Sequence, residues 1–491
     1  MLLRKLATDT VVYGLIGVLG RLFTYFLVPL HISALSLAEY GILTRCYAYA
    51  AFLRIIFEFG IEPTYVRFYR IEGAFNVFIG LSLRYVSIMA IICLNLAYLF
   101  KLENIAYYLI FTAAADALIC IPMAKLRLDG KSSTFAIKWL TYILLNVIFN
   151  FFFFYLLKHA YHGTKFVNLA KLATILYAPN EAVKYVFISN ILAGLSLIIL
   201  NYFTLSIKLG SLRYYLVKKI FSYALPIMMV SLFATINEMF SRALLKHLLP
   251  DNFYSNLKND EILGALGMAY KFSIFMLLAI RAFNYAAEPI FFKNFNHHNI
   301  NAAKSQIRDI LYVFVIFACL VLLVVSLNLD IIGLLIPNPV FKQLIDIVPY
   351  LLLGYLFLGI YYNFAMWNRA VDKPYYNVLI NSFGACITIF SNLLLIPIYG
   401  YWGSVISMII SHFSMACLAC YIIYKQYFIA CEFFKYACYI SVTFLSVIFF
   451  RYIKFESMVT LFLFNSFFVL LFCFGLFWVE RKRILSLINK I

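Results

Sequence analysis

Arginine or lysine recurs at seven positions inside apolar stretches long enough to cross a bilayer: Arg21, Arg45, Arg54, Arg84, Arg242, Lys271 and Arg281. A cation at the centre of a spanning helix costs roughly 2.5–3.5 kcal/mol even on the lenient insertion scale. Such a charge persists beside water, a charged partner or an anionic ligand. Carboxylates in the same stretches are fewer, namely Glu58, Asp116 and Glu238. The chemistry this balance favours is the binding of an anion in a polar, net-positive interior. Arginine suits phosphate because its planar fork donates two hydrogen bonds. Arg21 and Arg54 lie near the middle of their stretches, Arg281 in the inner half of its own and Lys271 in the outer half. These four are the candidate substrate-binding residues.

Each cation also has a structural reading. Arg54 and Glu58 are four apart on one helical face, as are Glu238 and Arg242, so each could pair within its own helix. Glu62 continues the first stripe toward one membrane face. A fixed Arg54–Glu58 pair is purely structural, whereas one that exchanges partners would serve substrate release; both readings stand. Arg84 lies about two turns inside its stretch and is expected to snorkel, and Arg45 lies close to the opposite boundary. Asp116 is central in its stretch with nothing basic within a turn. An isolated carboxylate in low dielectric takes up a proton or holds a cation. Asp116 is therefore a candidate for proton or sodium coupling, the alternative being a buried pair with Arg21 or Arg54. Pro226, Pro63 and Pro289 are helix bends or plain helix ends.

The elements that position these residues follow from composition. The chain is 65% hydrophobic and only 12% charged, against about 45–50% and about 25% in soluble domains. A span needs about 20 mostly apolar residues. On that rule fourteen occur, at 8–30, 40–62, 77–100, 105–124, 136–157, 185–208, 218–248, 262–290, 306–329, 343–365, 375–397, 402–424, 435–453 and 458–479. The first begins after Arg4 and Lys5 and contains Arg21, so it reads as an uncleaved span and not as a signal peptide. Short links favour antiparallel neighbours and hence a helix bundle. The longest link, His159 to Lys184, is too small for a catalytic domain. With the N-terminus cytoplasmic, inner segments hold 22 Lys and Arg against 10 outside, which places both termini inside.

Two signals recur six spans apart. Span 2 ends in Glu62-Pro63 with Arg67 beyond, and span 8 in Glu288-Pro289 with Lys293 beyond. Span 4 ends in Arg127 followed by Lys131, and span 10 in Arg369 followed by Lys373. A six-plus-six parallel repeat follows, with its pseudo-twofold axis along the membrane normal. The expected fold class is an all-α polytopic membrane protein with 14 transmembrane helices. Its parts are an N-lobe over 1–210 (helices 1–6), a C-lobe over 211–427 (helices 7–12), and two extra helices with a cytoplasmic tail over 428–491.

Three segments resemble a known family. They are Ser36-Leu37-Ala38-Glu39-Tyr40-Gly41 continuing to Phe59-Gly60-Ile61-Glu62-Pro63-Thr64-Tyr65-Val66-Arg67-Phe68-Tyr69, then Arg127 with Lys131, and Asn392-Leu393-Leu394-Leu395-Ile396-Pro397-Ile398-Tyr399-Gly400 with Trp402-Gly403. Together they resemble the polysaccharide-biosynthesis branch of the multidrug, oligosaccharidyl-lipid and polysaccharide exporter superfamily, which includes the O-antigen flippases. The resemblance implies two six-helix lobes around a cavity that opens alternately to each side. It implies a polyprenyl-diphosphate-linked oligosaccharide as substrate and spans 1, 2, 7 and 8 as the cavity border. Further expected partners are membrane lipids and other polysaccharide-assembly membrane proteins, in a bacterial inner membrane.

The other classes fit less well. Most of the basic excess lies in short loops, where it sets topology, so nucleic-acid binding is not expected. Cys417 and Cys420 have CxxC spacing in an apolar helix with no second pair, and His297 and His298 read as solvated, so no metal centre is expected. No cofactor is implied beyond a coupling proton or sodium ion. A cation-coupled multidrug exporter of the same fold would favour acidic cavity residues. An integral-membrane polysaccharide polymerase or ligase would need an acceptor site on a large external loop with clustered carboxylates or histidines.

Overall fold

The computed structural model describes residues 26–205, 214–294, 300–333, 344–429, 431–451, 453 and 457–488. Arg21, His297, His298 and most of the first expected span lie outside the described residues. The chain divides into two compact units, 1–264 and 265–491.

In the first unit, α1 is Leu27–Ala34 and α2 is Leu37–Glu58. The start of α2 is written in its sequence. Ser36 Oγ accepts from the Glu39 amide at 3.3 Å while the Ser36 amide donates to Glu39 Oε2 at 2.7 Å, a capping box that satisfies two orphan donors. Its end is equally local: Phe59 and Gly60 both take left-handed conformations, φ 45° and 65°. After this break α3, Ile61–Phe68, carries Pro63 in its first turn, where a missing N–H costs nothing. The bend is therefore at Phe59–Gly60 and not at the proline.

The remaining helices of this unit are α4 (Ala74–Leu99), α5 (Ile105–Leu128), α6 (Ser132–Tyr161), α7 (Ala170–Leu176), α8 (Val183–Leu205) and α9 (Tyr214–Leu248), followed by the start of α10 (Asn259–Asn294). α5 is the hub, packing against α2, α3, α4 and α8. Small residues allow that: a Cβ on Gly194 of α8 would stand 3.2 Å from the Ala115 methyl of α5. The crossing of α2 with α10 is tighter still. A Cβ on Gly41 would lie 1.8 Å from the Asp260 carbonyl oxygen, and one on Gly264 would lie 2.1 Å from the Leu37 carbonyl oxygen. The glycine in Glu39-Tyr40-Gly41 is thus a backbone-to-backbone contact point. The link after α6 is folded: α7 and a 3-10 turn at Pro179–Glu181 are tied down by Tyr185, whose hydroxyl donates to Leu176 O at 2.8 Å.

The second unit holds the rest of α10, then α11 (Ile300–Leu327), α12 (Leu329–Gly333), α13 (Val348–Ala370), α14 (Tyr375–Tyr399), α15 (Tyr401–Tyr427), α16 (Phe433–Arg451) and α17 (Met458–Ile488). α13 is the buried centre, with Trp367, Leu351 and Leu356 fully covered. α14 and α15 are joined by short hydroxyl contacts, Thr388 to Ser411 at 2.7 Å and Ser407 to Ser391 at 2.6 Å, a polar seam that lets two membrane helices adhere without a hydrophobic driving force. α16 and α17 dock on α11 through charge. Buried Glu480 pairs with Lys435 and accepts from Tyr439, while the Arg483 guanidinium lies 3.9 Å from the Tyr312 ring centroid and 3.6 Å from Asp309.

Among the described residues, twelve helices are long and apolar enough to cross a membrane, and they coincide with the third to fourteenth expected spans. α2, the second, carries Glu39, Arg45, Arg54 and Glu58. The chain is all-α and polytopic, as its composition requires.

The recurrent sequence signals recur as geometry. Glu62 pairs with Arg127 in the first unit, and Glu288 pairs with Arg369 in the second. The turns that follow are alike as well. Asp129, Gly130 and Lys131 donate their amides to Lys125, Arg127 and Leu126, while Val371, Asp372 and Lys373 donate theirs to Trp367, Arg369 and Asn368. Gly130 has φ 68° and Asp372 has φ 56° at equivalent positions. Two signals read separately in the sequence are the two halves of one ion pair, built twice.

Candidate functional site

α2 places Arg54 one turn before Glu58, and Arg54 Nε meets Glu58 Oε1 at 2.6 Å. The Arg54 side chain is nonetheless 52% exposed, so the pair does not shut it off from another partner. Glu58 is also held from α5, where the Cys120 thiol donates to the same oxygen at 3.2 Å and contacts the Asp116 carbonyl at 3.3 Å. Asp116 stands one turn from Cys120, and the charges of Arg54 and Glu58 both bear on it. Among the described residues, no cation lies within ion-pair distance of Asp116. The structure therefore gathers Arg54, Glu58 and Asp116 at the α2–α5 interface, with Cys120 as a member the sequence reading lacks. Its signal was the i, i+4 spacing from Asp116.

Toward the end of the same interface the stripe continues to Glu62 and its partner Arg127. Beside them the Lys125 ammonium lies 3.1 Å from Asp129, and the Tyr69 phenol donates to the same carboxylate. Asp129 follows the last residue of α5. Burial alone would raise its carboxyl, but the Tyr69 and Lys125 contacts outweigh that and hold it below the usual carboxylate range.

The other expected residues fall elsewhere. Arg242 Nη2 donates to the Glu238 main-chain carbonyl at 2.6 Å within α9. Arg45 is buried, with Nη1 3.4 Å from Asp260, whose other oxygen takes Lys246 at 2.7 Å. Its charge is thus neutralised inside the fold. Arg84 is exposed on α4, as a snorkelling cation should be. In the second unit, Lys271 and Arg281 stand about 15 Å apart along α10 at 1.5 Å per residue. Both are partly buried. Arg281 has Tyr362, Tyr285 and Tyr355 as its electrostatic neighbours. Among the described residues, no carboxylate reaches Arg281 within ion-pair distance.

Sequence reasoning misses one buried cation outright. Lys138 stands two positions beyond the expected start of its span and is only 5% exposed, with its ammonium on Asn201 Oδ1 at 2.8 Å. It opens a polar stripe along α6 at intervals of four, Lys138, Tyr142, Asn146 and Asn150. Asn146 bonds Asn190 of α8, and Asn150 meets His31 of α1 at 2.9 Å.

Residues 248–394 match the MatE family model. No curated protein sequence matches the chain. Solved structures do. An inward-facing multidrug resistance MATE family transporter of the MOP superfamily superposes with a TM-score of 0.58 at 13% identity, covering 84% of this chain and 93% of that one. A mutant of the Vibrio cholerae MATE transporter VcmN gives 0.55 at 16% identity, covering 86% and 97%. A MOP superfamily transporter from Pyrococcus furiosus, described as having a binding pocket of reverse polarity, gives 0.54 at 14% identity, covering 84% and 95%. Superposition over 84% or more of this chain and 93% or more of each of those structures leads to one conclusion: the chain has the fold of the MATE transporters.

Proposed function

We propose that this protein is an alternating-access transporter that moves a polyprenyl-diphosphate-linked oligosaccharide across a bacterial inner membrane, with both termini in the cytoplasm. The observation that carries the reading is Arg281, a cation inside a spanning helix with tyrosines around it and, among the described residues, no carboxylate in ion-pair range. Arg54, paired with Glu58 yet half-exposed, is a second cation that an anion can reach. A diphosphate needs cations along a polar route through about 30 Å of hydrocarbon, and phenols beside a guanidinium can donate to the same phosphate or to sugar hydroxyls. The excess of basic over acidic side chains in the spans points the same way. Lys271 extends this cationic set, as does Arg21. Deleting the gene should make a lipid-linked glycan accumulate on the cytoplasmic leaflet. Arg281→Ala should fail to relieve that accumulation although the protein inserts normally.

A second reading is favoured by Asp116 and Glu58. These carboxylates at one interface suit a cation-coupled exporter of small cationic compounds, and the first structural neighbour is described as a multidrug resistance transporter. The two readings separate on one measurement. Asp116-dependent efflux of a cationic dye, with no glycan accumulating in the deletion strain, would select the exporter.

A further inference from the structure

The link between α6 and α8 carries an apolar ridge that its own unit leaves uncovered. α7 buries Ala173 and leaves Leu172, Ile175 and Leu176 exposed. These three are spaced i, i+3 and i+4, so they form one face of the helix. Ile175 is the most open of them at 79%, and Phe166 in the same link is exposed as well. The segment is pinned on both sides of the ridge. Tyr185 accepts from the Ala178 amide at 2.6 Å and donates to Leu176 O, while Lys158 Nζ donates to Ala34 O at 2.8 Å. The exposure therefore belongs to a fixed surface.

The level of α7 follows from what it packs on. It lies against the π-helical stretch Phe152–Leu157 and the closing turn Lys158–Tyr161, both at the end of α6. Those are the last turns of a helix long and apolar enough to span. α7 thus sits where α6 leaves the hydrocarbon and not out in water. α8 packs along α6 and starts its own span at Val183, so both ends of the link meet one membrane surface.

The charge of the link is one-sided. Residues 158–184 hold Lys158, Lys165, Lys171 and Lys184 against the single carboxylate of Glu181, and Lys184 takes that carboxylate at 2.7 Å. Lys171, next to Leu172, is exposed, and so is Lys165, whose ammonium lies 5.6 Å from the Tyr155 ring centroid. Among the described residues, neither has a carboxylate within ion-pair distance. An apolar face flanked by uncompensated ammonium groups is what an interfacial helix presents to a bilayer, with its carbon in the acyl boundary and its cations at phosphate level. A protein partner fits less well, because four exposed side chains offer far less than the roughly 800 Å² that a stable interface takes from each side.

We propose that the α6–α8 link rests on the bilayer surface, with Leu172, Ile175 and Leu176 at the headgroup–acyl boundary and Lys165 and Lys171 holding anionic phospholipid. The inference stands apart from the Arg54 and Arg281 groups and does not depend on which substrate the protein carries.

The test uses the full chain in nanodiscs of mixed phosphatidylglycerol and phosphatidylcholine, with Ile175→Trp as a local reporter read as the difference from wild type. Lipid brominated on its acyl chains should quench the new tryptophan, and aqueous iodide should not. At equal mole fraction, brominated phosphatidylglycerol should quench as if enriched about fivefold or more over brominated phosphatidylcholine. Adding Lys165→Gln with Lys171→Gln should bring the two lipids to near parity, and so should about 1 M salt. Quenching by iodide but not by brominated lipid would put the ridge in water and overturn the proposal. Protection from both quenchers would mean that protein covers the ridge, and overturns it too. So does equal quenching by the two lipids with both lysines present, or a preference that survives their replacement. Should Ile175→Trp fail to insert, Leu172→Trp on the same ridge gives the same readings.

Discussion

Arg54→Ala distinguishes a cation that binds substrate from one that neutralises its neighbour. The Arg54–Glu58 contact is an i, i+4 pair at 2.6 Å with side chains 52% and 22% exposed. Open pairs of this kind contribute about 0.3–0.5 kcal/mol and rarely more than about 1. Since about 1.4 kcal/mol is tenfold in rate, losing the pair alone should slow transport by no more than about fivefold. Losing two charge-assisted bonds to a diphosphate, at about 1.5–3 kcal/mol each, should slow it by about 100-fold or more. The assay is the arrival of lipid-linked glycan at the outer leaflet of proteoliposomes, normalised to inserted protein. The reading expects at least about 100-fold loss in Arg54→Ala, partial recovery in Arg54→Lys, and no recovery when Glu58→Ala is added to Arg54→Ala. A double mutant that returns to within about fivefold of wild type would refute the reasoning, because the arginine would then have served only to balance Glu58.

Three further outcomes follow from the geometry. Asp116→Asn should slow transport while substrate binding persists, and should flatten the dependence on pH or sodium; an unaltered pH and sodium series would remove Asp116 from coupling. Gly41→Ala sets a methyl 1.8 Å from the Asp260 carbonyl oxygen, so α2 and α10 must separate at a cost of about 1–3 kcal/mol, seen as a lower Tm in detergent. An unchanged Tm there would mean the crossing is looser than described. The Asp129 carboxyl is held low in the folded state, so its stabilisation is full above the unfolded value near 4 and disappears as pH falls through the folded one. The Tm gap between wild type and Asp129→Asn should be constant above about pH 5 and close below that folded value, and a gap that persists at the lowest pH would assign the effect to packing.

What could be read from the sequence was whatever local chemistry decides. Long apolar runs gave the spans because backbone polar groups in lipid must be satisfied within a helix, and twelve of them return within a few residues of their expected ends. The capping of α2 was legible in Ser36 and Glu39, and the duplicated Glu-Pro and Arg signals were legible as a repeat. Their pairing was not, because Glu62 and Arg127 are brought together by a tertiary crossing that no spacing rule encodes. The same limit hid the partner of Arg45, which lies 215 positions away at Asp260.

Lys138 marks where the reading fails for a different reason. A lysine near a span boundary is expected to snorkel, since its long stem can carry the ammonium to water. Here Asn201 and Thr204 of α8 capture the ammonium before it reaches the surface. The clue lay in the spacing of Lys138, Tyr142, Asn146 and Asn150, one polar group per turn on one face of an apolar helix. A stripe of that period in a membrane helix predicts a partner helix with polar groups in register, which Asn190 and Asn201 of α8 supply. Charge type and depth therefore sort cations into buried and snorkelling only when the polarity of the whole helical face is read with them. On that criterion Arg84, whose neighbours at the same interval of four, Gly80, Ile88 and Ile92, are apolar, is a surface cation, and Lys138 is an internal one.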